Sequence, residues 1–314
     1  MCSYNILIKA IACGEAHTHL LSQDGYVYSM GKNSNGVLGL GKGDDVLQAV
    51  TQPQLVPNLQ CVIQIASGRV HSVALDVKRD VFAWGRSDNG AIGLRMATPM
   101  NQSQPMPLNL NLDHSDKVNQ IDCGLEHSCF LTSDGHVFAC GEDEYGQLGL
   151  GHVALNEYRP MRSKFHDMLP GDYVTQIACG AHHTAYLTRR QNVYVTGLNN
   201  LGQLGIDSLE QQVNFPVRVE SLSDKGVQEI SCGESSFAIT SDGQLYVWGL
   251  YNLQVCRTPT LVTEIERPVS QVSQSFYGVT AAVDIDNQAW YWYACLDAKA
   301  QNILELESSP QVIR

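Results

Sequence analysis

Short runs of about five residues in which apolar and polar positions alternate recur along the chain, with turn-forming residues between them. The clearest set lies just before Gly141: Val118 to Cys123, Ser128 to Thr132 and His136 to Cys140, with Ser133-Asp134-Gly135 separating the last two. Alternation of period two bounded by turn residues reads as strands, and an Asp-Gly pair supplies the positive φ angles of a tight hairpin. A fourth strand is expected from the proline-led segments that close the units, at Pro53 to Val56, Pro216 to Val219, Pro259 to Val262 and Pro310 to Ile313. Proline suits a sheet edge or the first residue of a strand. No amphipathic helical stretch interrupts the series.

The pattern returns at a fixed period. The glycine before the second strand stands at Gly14, Gly68, Gly124, Gly180 and Gly233, spacings of 54, 56, 56 and 53 residues, with a fainter copy at Ser275. A period of this size marks an array of supersecondary units. Six units are expected, over about 8–58, 59–117, 118–173, 174–226, 227–268 and 269–314. Each unit reads as one four-stranded antiparallel blade, so the fold class is all-β, a six-bladed β-propeller forming a single domain over 1–314. The copies are not identical. Lys78-Arg79-Asp80 stands where unit one has Asp-Gly, Ser236 takes the place of a repeated histidine, and unit six turns at Asp286-Asn287 with few glycines. Segments 96–116 and 152–172 read as exposed excursions between blades.

Written out, the unit is Cys-Gly-x-x-His, then Asp-Gly, then Gly-x-Asn-x-x-Gly-Gln-Leu-Gly, clearest in Gly31 to Gly39, Gly141 to Gly149 and Gly197 to Gly205. In this form nearly the whole chain resembles the regulator of chromosome condensation repeat family. The resemblance implies a β-propeller, usually of seven blades, from which six is a departure. It also implies an interaction platform. The founding type promotes nucleotide exchange on a Ran-type small GTPase and binds chromatin, and other members serve as adaptors, ubiquitin-ligase modules or an ultraviolet-B photoreceptor. Trp84, Trp248, Trp290 and Trp292 do not form the repeated Trp-Arg clusters of the photoreceptor, and neither a ligase domain nor a basic chromatin-binding tail is read in the sequence.

Composition narrows the partners. Apolar residues make up 44% of the chain, ample for a core, and the net charge is −12 with no basic block, which removes the attraction that drives non-specific nucleic-acid binding. No segment approaches the ~20 apolar residues of a membrane span, so neither nucleic acid nor a bilayer is an expected partner. Four of the ten cysteines, Cys13, Cys123, Cys179 and Cys232, share one repeat position as small buried fillers, and the others show no Cys-x-x-Cys spacing. Reduced thiols in a cytoplasmic or nucleocytoplasmic setting are expected.

Candidate chemistry is sparse. Gly36 to Gly43 approaches a phosphate-binding loop, but Gly43 stands where Ser or Thr would be, and the same turn recurs at Gly146 to His152 without the lysine. His17, His71, His127 and His183 share one repeat position and read as bridges between backbone groups, not as metal ligands. No nucleophile-base or paired-carboxylate arrangement stands outside the repeat. Covalent catalysis, a cofactor and a metal are therefore not expected.

The loops in which the copies differ carry the recognition reading. After the third strand, unit three carries Glu142-Asp143-Glu144-Tyr145, unit two carries Arg86-Ser87-Asp88-Asn89, and unit one is followed by Asp44-Asp45. Carboxylates gathered on one face would meet a basic partner surface and speed encounter. The expected partner-binding residues are thus Asp44, Asp45, Asp88, Glu142, Asp143, Glu144 and Tyr145. The functional expectation is a monomeric propeller that binds a small GTPase, Ran-like or related, and promotes exchange by binding the nucleotide-free form more tightly than the loaded form. The alternative is an adaptor that binds a protein partner without altering nucleotide state.

Overall fold

The computed structural model describes residues 6–41, 49–94, 101–113, 115–165, 171–293 and 311–312. Their strands form six four-stranded antiparallel sheets, each ordered as in the sequence, the fold of a six-bladed β-propeller. The chain divides into two compact units, Met1–Asp143 with Ala154–Arg162, and Glu144–Val153 with Ser163–Arg314.

The first unit holds three blades. Blade one is β1 (Ile8–Cys13), β2 (His17–Ser22), β3 (Val27–Lys32) and β4 (Ala49–Leu55). Blade two is β5 (Val62–Ser67), β6 (His71–Asp76), β7 (Val81–Gly85) and β8 (Gln102–Leu108). Blade three is β9 (Val118–Cys123), β10 (His127–Thr132), β11 (Val137–Asp143) and β12 (Ala154–Arg162). In the second unit, blade four is β13 (Val174–Cys179), β14 (His183–Thr188), β15 (Val193–Leu198) and β16 (Gln212–Arg218). Blade five is β17 (Val227–Cys232), β18 (Ser236–Thr240), β19 (Leu245–Tyr251) and β20 (Gln254–Leu261). Blade six is β21 (Val269–Gln274), β22 (Val279–Asp284), β23 (Ala289–Tyr293) and β24 (Gln311–Val312).

The hairpins between second and third strands use one positive φ angle, not two. In blade three the amide of Gly135 donates to the Thr132 carbonyl at 3.0 Å and that of Thr132 to the His136 carbonyl at 2.9 Å, with Gly135 at φ 80° and Asp134 outside the left-handed region. This is a three-residue connection closed by a left-handed glycine. Where glycine is missing another residue takes the strained angle: Arg79 at φ 71°, Gln191 at 63° and Asn287 at 61°.

The outermost strands differ more from expectation. Segments 96–116 and 152–172 are not simple excursions, because they contain β8 and β12. The outer strand of each of the first five blades holds proline inside it, at Pro53, Pro105, Pro107, Pro160, Pro216 and Pro259. A sheet-edge strand is hydrogen-bonded on one side only, so a missing N–H costs it little.

Within each unit, neighbouring blades meet through apolar layers. Leu21 and Val27 of blade one join Ile65 and Trp84 of blade two, and Val195 and Leu204 of blade four join Ile230 and Trp248 of blade five. The glycine turn that approaches a phosphate-loop pattern is part of this packing: Val37 and Leu38 are buried, and the Trp84 indole N–H donates to the Val37 carbonyl at 2.7 Å. Its Lys42 and Gly43 lie outside the described residues.

The repeated histidines also join blades, through hydroxyls and, for His71, through the backbone of His127 as well. His17 Nε2 lies 3.4 Å from Ser72 Oγ, His71 Nε2 3.0 Å from Ser128 Oγ, and His183 Nε2 2.7 Å from Ser236 Oγ, while His19, outside the repeated position, also reaches Ser72 Oγ at 2.8 Å. Ser128 Oγ donates its proton to the Ala91 carbonyl and Ser236 Oγ to the Gln203 carbonyl, so the imidazole Nε2–H is the donor in both pairs. Ser236 therefore does not stand in for a histidine. It pairs with Cys232 as Ser128 pairs with Cys123, and it occupies the hydroxyl position of the repeat, leaving Ser235 at the histidine position.

Candidate protein-binding face

In blades one to four, two loops come together at one end of the sheet, the one after the first strand and the one after the third. The amide of Arg86 donates to the Val70 carbonyl at 2.9 Å, that of Glu142 to the Glu126 carbonyl at 2.8 Å, and that of Leu198 to the His182 carbonyl at 2.9 Å. A glycine near the end of the third strand, Gly31, Gly85, Gly141 and Gly197 in these four blades, makes this closeness possible. At Gly141, φ is 110°, and an added Cβ would collide with the Glu126 carbonyl and the His127 Cα. The first loops are also linked along the series, with Glu15 N donating to the Arg69 carbonyl at 3.2 Å and Arg69 N to the Leu125 carbonyl at 2.9 Å.

In the first unit these loops build a charged cluster around Glu126. Its buried carboxylate receives the Arg69 guanidinium, the Asn89 amide and, at 3.5 Å, Arg86. Burial pushes the Glu126 carboxyl above its ordinary range, and the two guanidiniums oppose that rise. Arg86 also holds Asp88, its hydrogen bonds lowering the Asp88 carboxyl. Tyr158 Oη donates to the Asp88 carbonyl at 3.1 Å and pins the loop from β12. The side chains of Arg69 and Arg86 keep 38% and 30% of their surface in solvent, so both are held in place yet reachable.

In the second unit the equivalent loops carry an aromatic and ionisable group. The Tyr145 ring meets the His182 ring edge-on at 5.4 Å. Burial raises the Glu234 carboxyl, and the neighbouring His182 works against that rise.

The residues expected to bind a partner divide accordingly. Asp88 and Glu144 are exposed, and Glu142 and Tyr145 are half-buried. Asp143 is fully buried and must be withdrawn as a contact residue: β11 runs through it, and its side chain falls on the inward side of the strand. Asp44 and Asp45 lie outside the described residues. The face is not a rim of carboxylates, because Arg69 and Arg86 alternate with the acids. Arg69, Glu126 and Glu234 escaped notice in the sequence, although the two variable positions of Gly-x-x-His carry the same signal of variation on a fixed frame.

Residues 2–292 match the RCC1-like domain. The chain belongs to this family. The ultraviolet-B receptor UVR8 of Arabidopsis thaliana is 30% identical over 249 residues, which are 78% of the chain and 54% of that protein. The probable human E3 ubiquitin-protein ligase HERC6 is 31% identical over 290 residues, 88% of the chain and 27% of that protein. The chain thus spans about half, or less, of the length of these relatives. Among solved structures, human WBSCR16 superposes with a TM-score of 0.84 at 24% identity, covering 99% of the chain and 83% of that one. Prp20p of Saccharomyces cerevisiae, described with its binding to Gsp1p and histones, superposes with a TM-score of 0.80 at 23% identity over 98% of the chain and 77% of that one. At such identities these two structures speak for the RCC1-like fold alone. Among the described residues of this RCC1-like domain, no helix is long and apolar enough to cross a membrane.

Proposed function

We propose that the chain is a protein-docking propeller whose contact surface is the loop face built around Arg69, Arg86, Asp88 and Glu126 in the first unit. One observation carries this reading: two partly exposed arginine side chains share a buried carboxylate on loops that differ from copy to copy. Side chains fixed before encounter lose little entropy on binding, and fixed arginines and tyrosines are typical anchors of protein interfaces.

A finer reading, binding of a small GTPase with release of its nucleotide, is favoured by the likeness to Prp20p, whose description includes binding to Gsp1p. Exchange of this kind requires only tighter binding of the nucleotide-free form and no covalent step.

Both readings meet in one experiment. A panel of Ran-, Rab-, Rap- and Rho-type GTPases loaded with fluorescent nucleotide is mixed with micromolar protein, and binding and nucleotide release are recorded together. Accelerated release that drops about tenfold or more in Arg69→Ala and Arg86→Ala supports exchange through this face. Binding without acceleration, lost in the same variants, leaves an adaptor. Binding that both variants retain in full sinks the assignment of the face.

A further inference from the structure

The outer strands of the first five blades can be aligned residue by residue. Val50, Gln102, Glu157, Val213 and Cys256 each pair with the third-strand glycine of their own blade, and a proline stands three residues further on, at Pro53, Pro105, Pro160, Pro216 and Pro259. The residue just before that proline is Gln52, Gln104, Arg159 and Thr258 in four blades, and Phe215 in blade four. A polar side chain suits this place, because an outer strand turns most of its residues to solvent. Phe215 breaks the pattern and is 46% exposed. The repeat itself does not need an aromatic ring there, since four copies form the same strand without one.

Phe215 lines a cleft of about 570 Å³ within the second unit, where the outer strands β16 and β20 of blades four and five come together. Ile206 and Val217, which pack on the apolar layer joining these two blades, line it as well. One wall is the connection after β15, held to blade five by the amide of Asp207 donating to the Arg257 carbonyl at 3.1 Å and by Arg257 Nη1 donating to the Ser208 carbonyl at 3.3 Å. Leu209, on the same connection, is 82% exposed. The charges are mostly of one sign. Among the described residues lining the cleft, Asp207, Glu210 and Glu220 stand against one cation, Arg218. Arg218 is already engaged, its guanidinium donating to Asn192 Oδ1 at 2.7 Å and lying 3.7 Å from Glu220 Oε2. The carboxylates of Asp207 and Glu210 have no hydrogen-bond or ion-pair partner among the described residues.

We infer that this cleft is a docking site for an extended segment of a partner protein in which a bulky apolar residue, leucine or phenylalanine, stands next to lysine or arginine. A cleft of this size with an apolar lining and a few polar groups at its margin has the make-up of a ligand pocket. The apolar residue covers Phe215 and Val217, and its basic neighbour meets Asp207 and Glu210. Burial of the apolar anchor supplies the affinity, while the carboxylates select the sign of the partner, because an acidic segment would meet uncompensated like charge. The inference goes beyond the loop-face reading and uses none of its residues.

Short fluorescent peptides with a central leucine flanked by lysines are titrated with the full chain and followed by anisotropy, beside versions with a central alanine or with glutamate flanks. The leucine–lysine peptide should bind about tenfold or more tightly than either. Phe215→Gln, the residue that blades one and two carry at this position, should weaken it by about tenfold or more, whereas Phe215→Leu should keep it. Asp207→Asn combined with Glu210→Gln should weaken it and flatten its salt dependence. Arg69→Ala should change nothing. Equal binding of the three peptides, or full binding by Phe215→Gln, overturns the inference. So does loss of binding in Arg69→Ala, which would put the peptide on the loop face. Other occupants are read from Phe215→Cys, treated with iodoacetamide with the exposed Cys61 as a reference. The introduced thiol should react as fast as Cys61 at every protein concentration. Its protection at all concentrations would mean a cover from within the chain, and protection only at high concentration a second copy; either overturns the inference.

Discussion

At the scale of single residues, the repeated histidines show how a position is fixed by chemistry more than by charge. His71 and His183 present Nε2–H to a hydroxyl in a dry layer, so both are held neutral. Burial lowers His17 to about 4, and His71 and His183 to about 3. An unfolded histidine takes up its proton near pH 6.5, whereas these three resist it in the fold. Their contribution to stability is therefore intact above pH 6.5 and is lost progressively between pH 6.5 and about 4 to 3. Melting temperature should fall across that window, and His71→Gln should flatten part of the slope in a melting series. A slope unchanged by the substitution would remove His71 from the acid response.

Among the elements, the hairpin turns separate what the repeat needs from what it tolerates. Gly25, Gly135 and Gly243 hold φ near 80°, and Arg79 and Gln191 are forced to the same side of the map by the same turn. A side chain in the left-handed region costs about 1–2 kcal/mol, against which glycine loses about 0.4–1 kcal/mol through its freer unfolded chain. Arg79→Gly and Gln191→Gly should each raise stability in urea unfolding by about 0.5–1 kcal/mol. The same reasoning explains why Lys78-Arg79-Asp80 still closes a hairpin. Its turn is supported by Asp76, whose Oδ1 accepts from the amides of Lys78 and Asp80 at 2.8 and 2.9 Å.

Over the whole molecule, the second strands differ in how far they are buried. The second strands β6, β10, β14 and β18 are buried at every position, whereas β22 alternates between buried and exposed. Amide exchange follows local opening, which is easier where one face lacks packing. Blade six should therefore exchange its β22 amides faster than blade five exchanges those of β18, as read by hydrogen exchange with mass spectrometry. Equal protection in the two strands would show that the open face carries no local weakness.

The sequence by itself determined the repeat, the three inner strands of each blade and the hairpins that join them, because alternation and turn chemistry act over a few residues. It also marked where the copies diverge, and so pointed to Asp88, Glu142, Glu144 and Tyr145. Only the tertiary structure decided the rest. The outer strands β8 and β12 carry prolines and little regular alternation, since one side of each has no hydrogen-bonding neighbour and most of its residues meet solvent, so they resemble connectors until paired. Asp143 turns inward through the length of β11, and Arg69, Arg86 and Glu126 meet through the register of one blade on the next. That register is set by whole sheets packing together, and no local pattern along the chain encodes it.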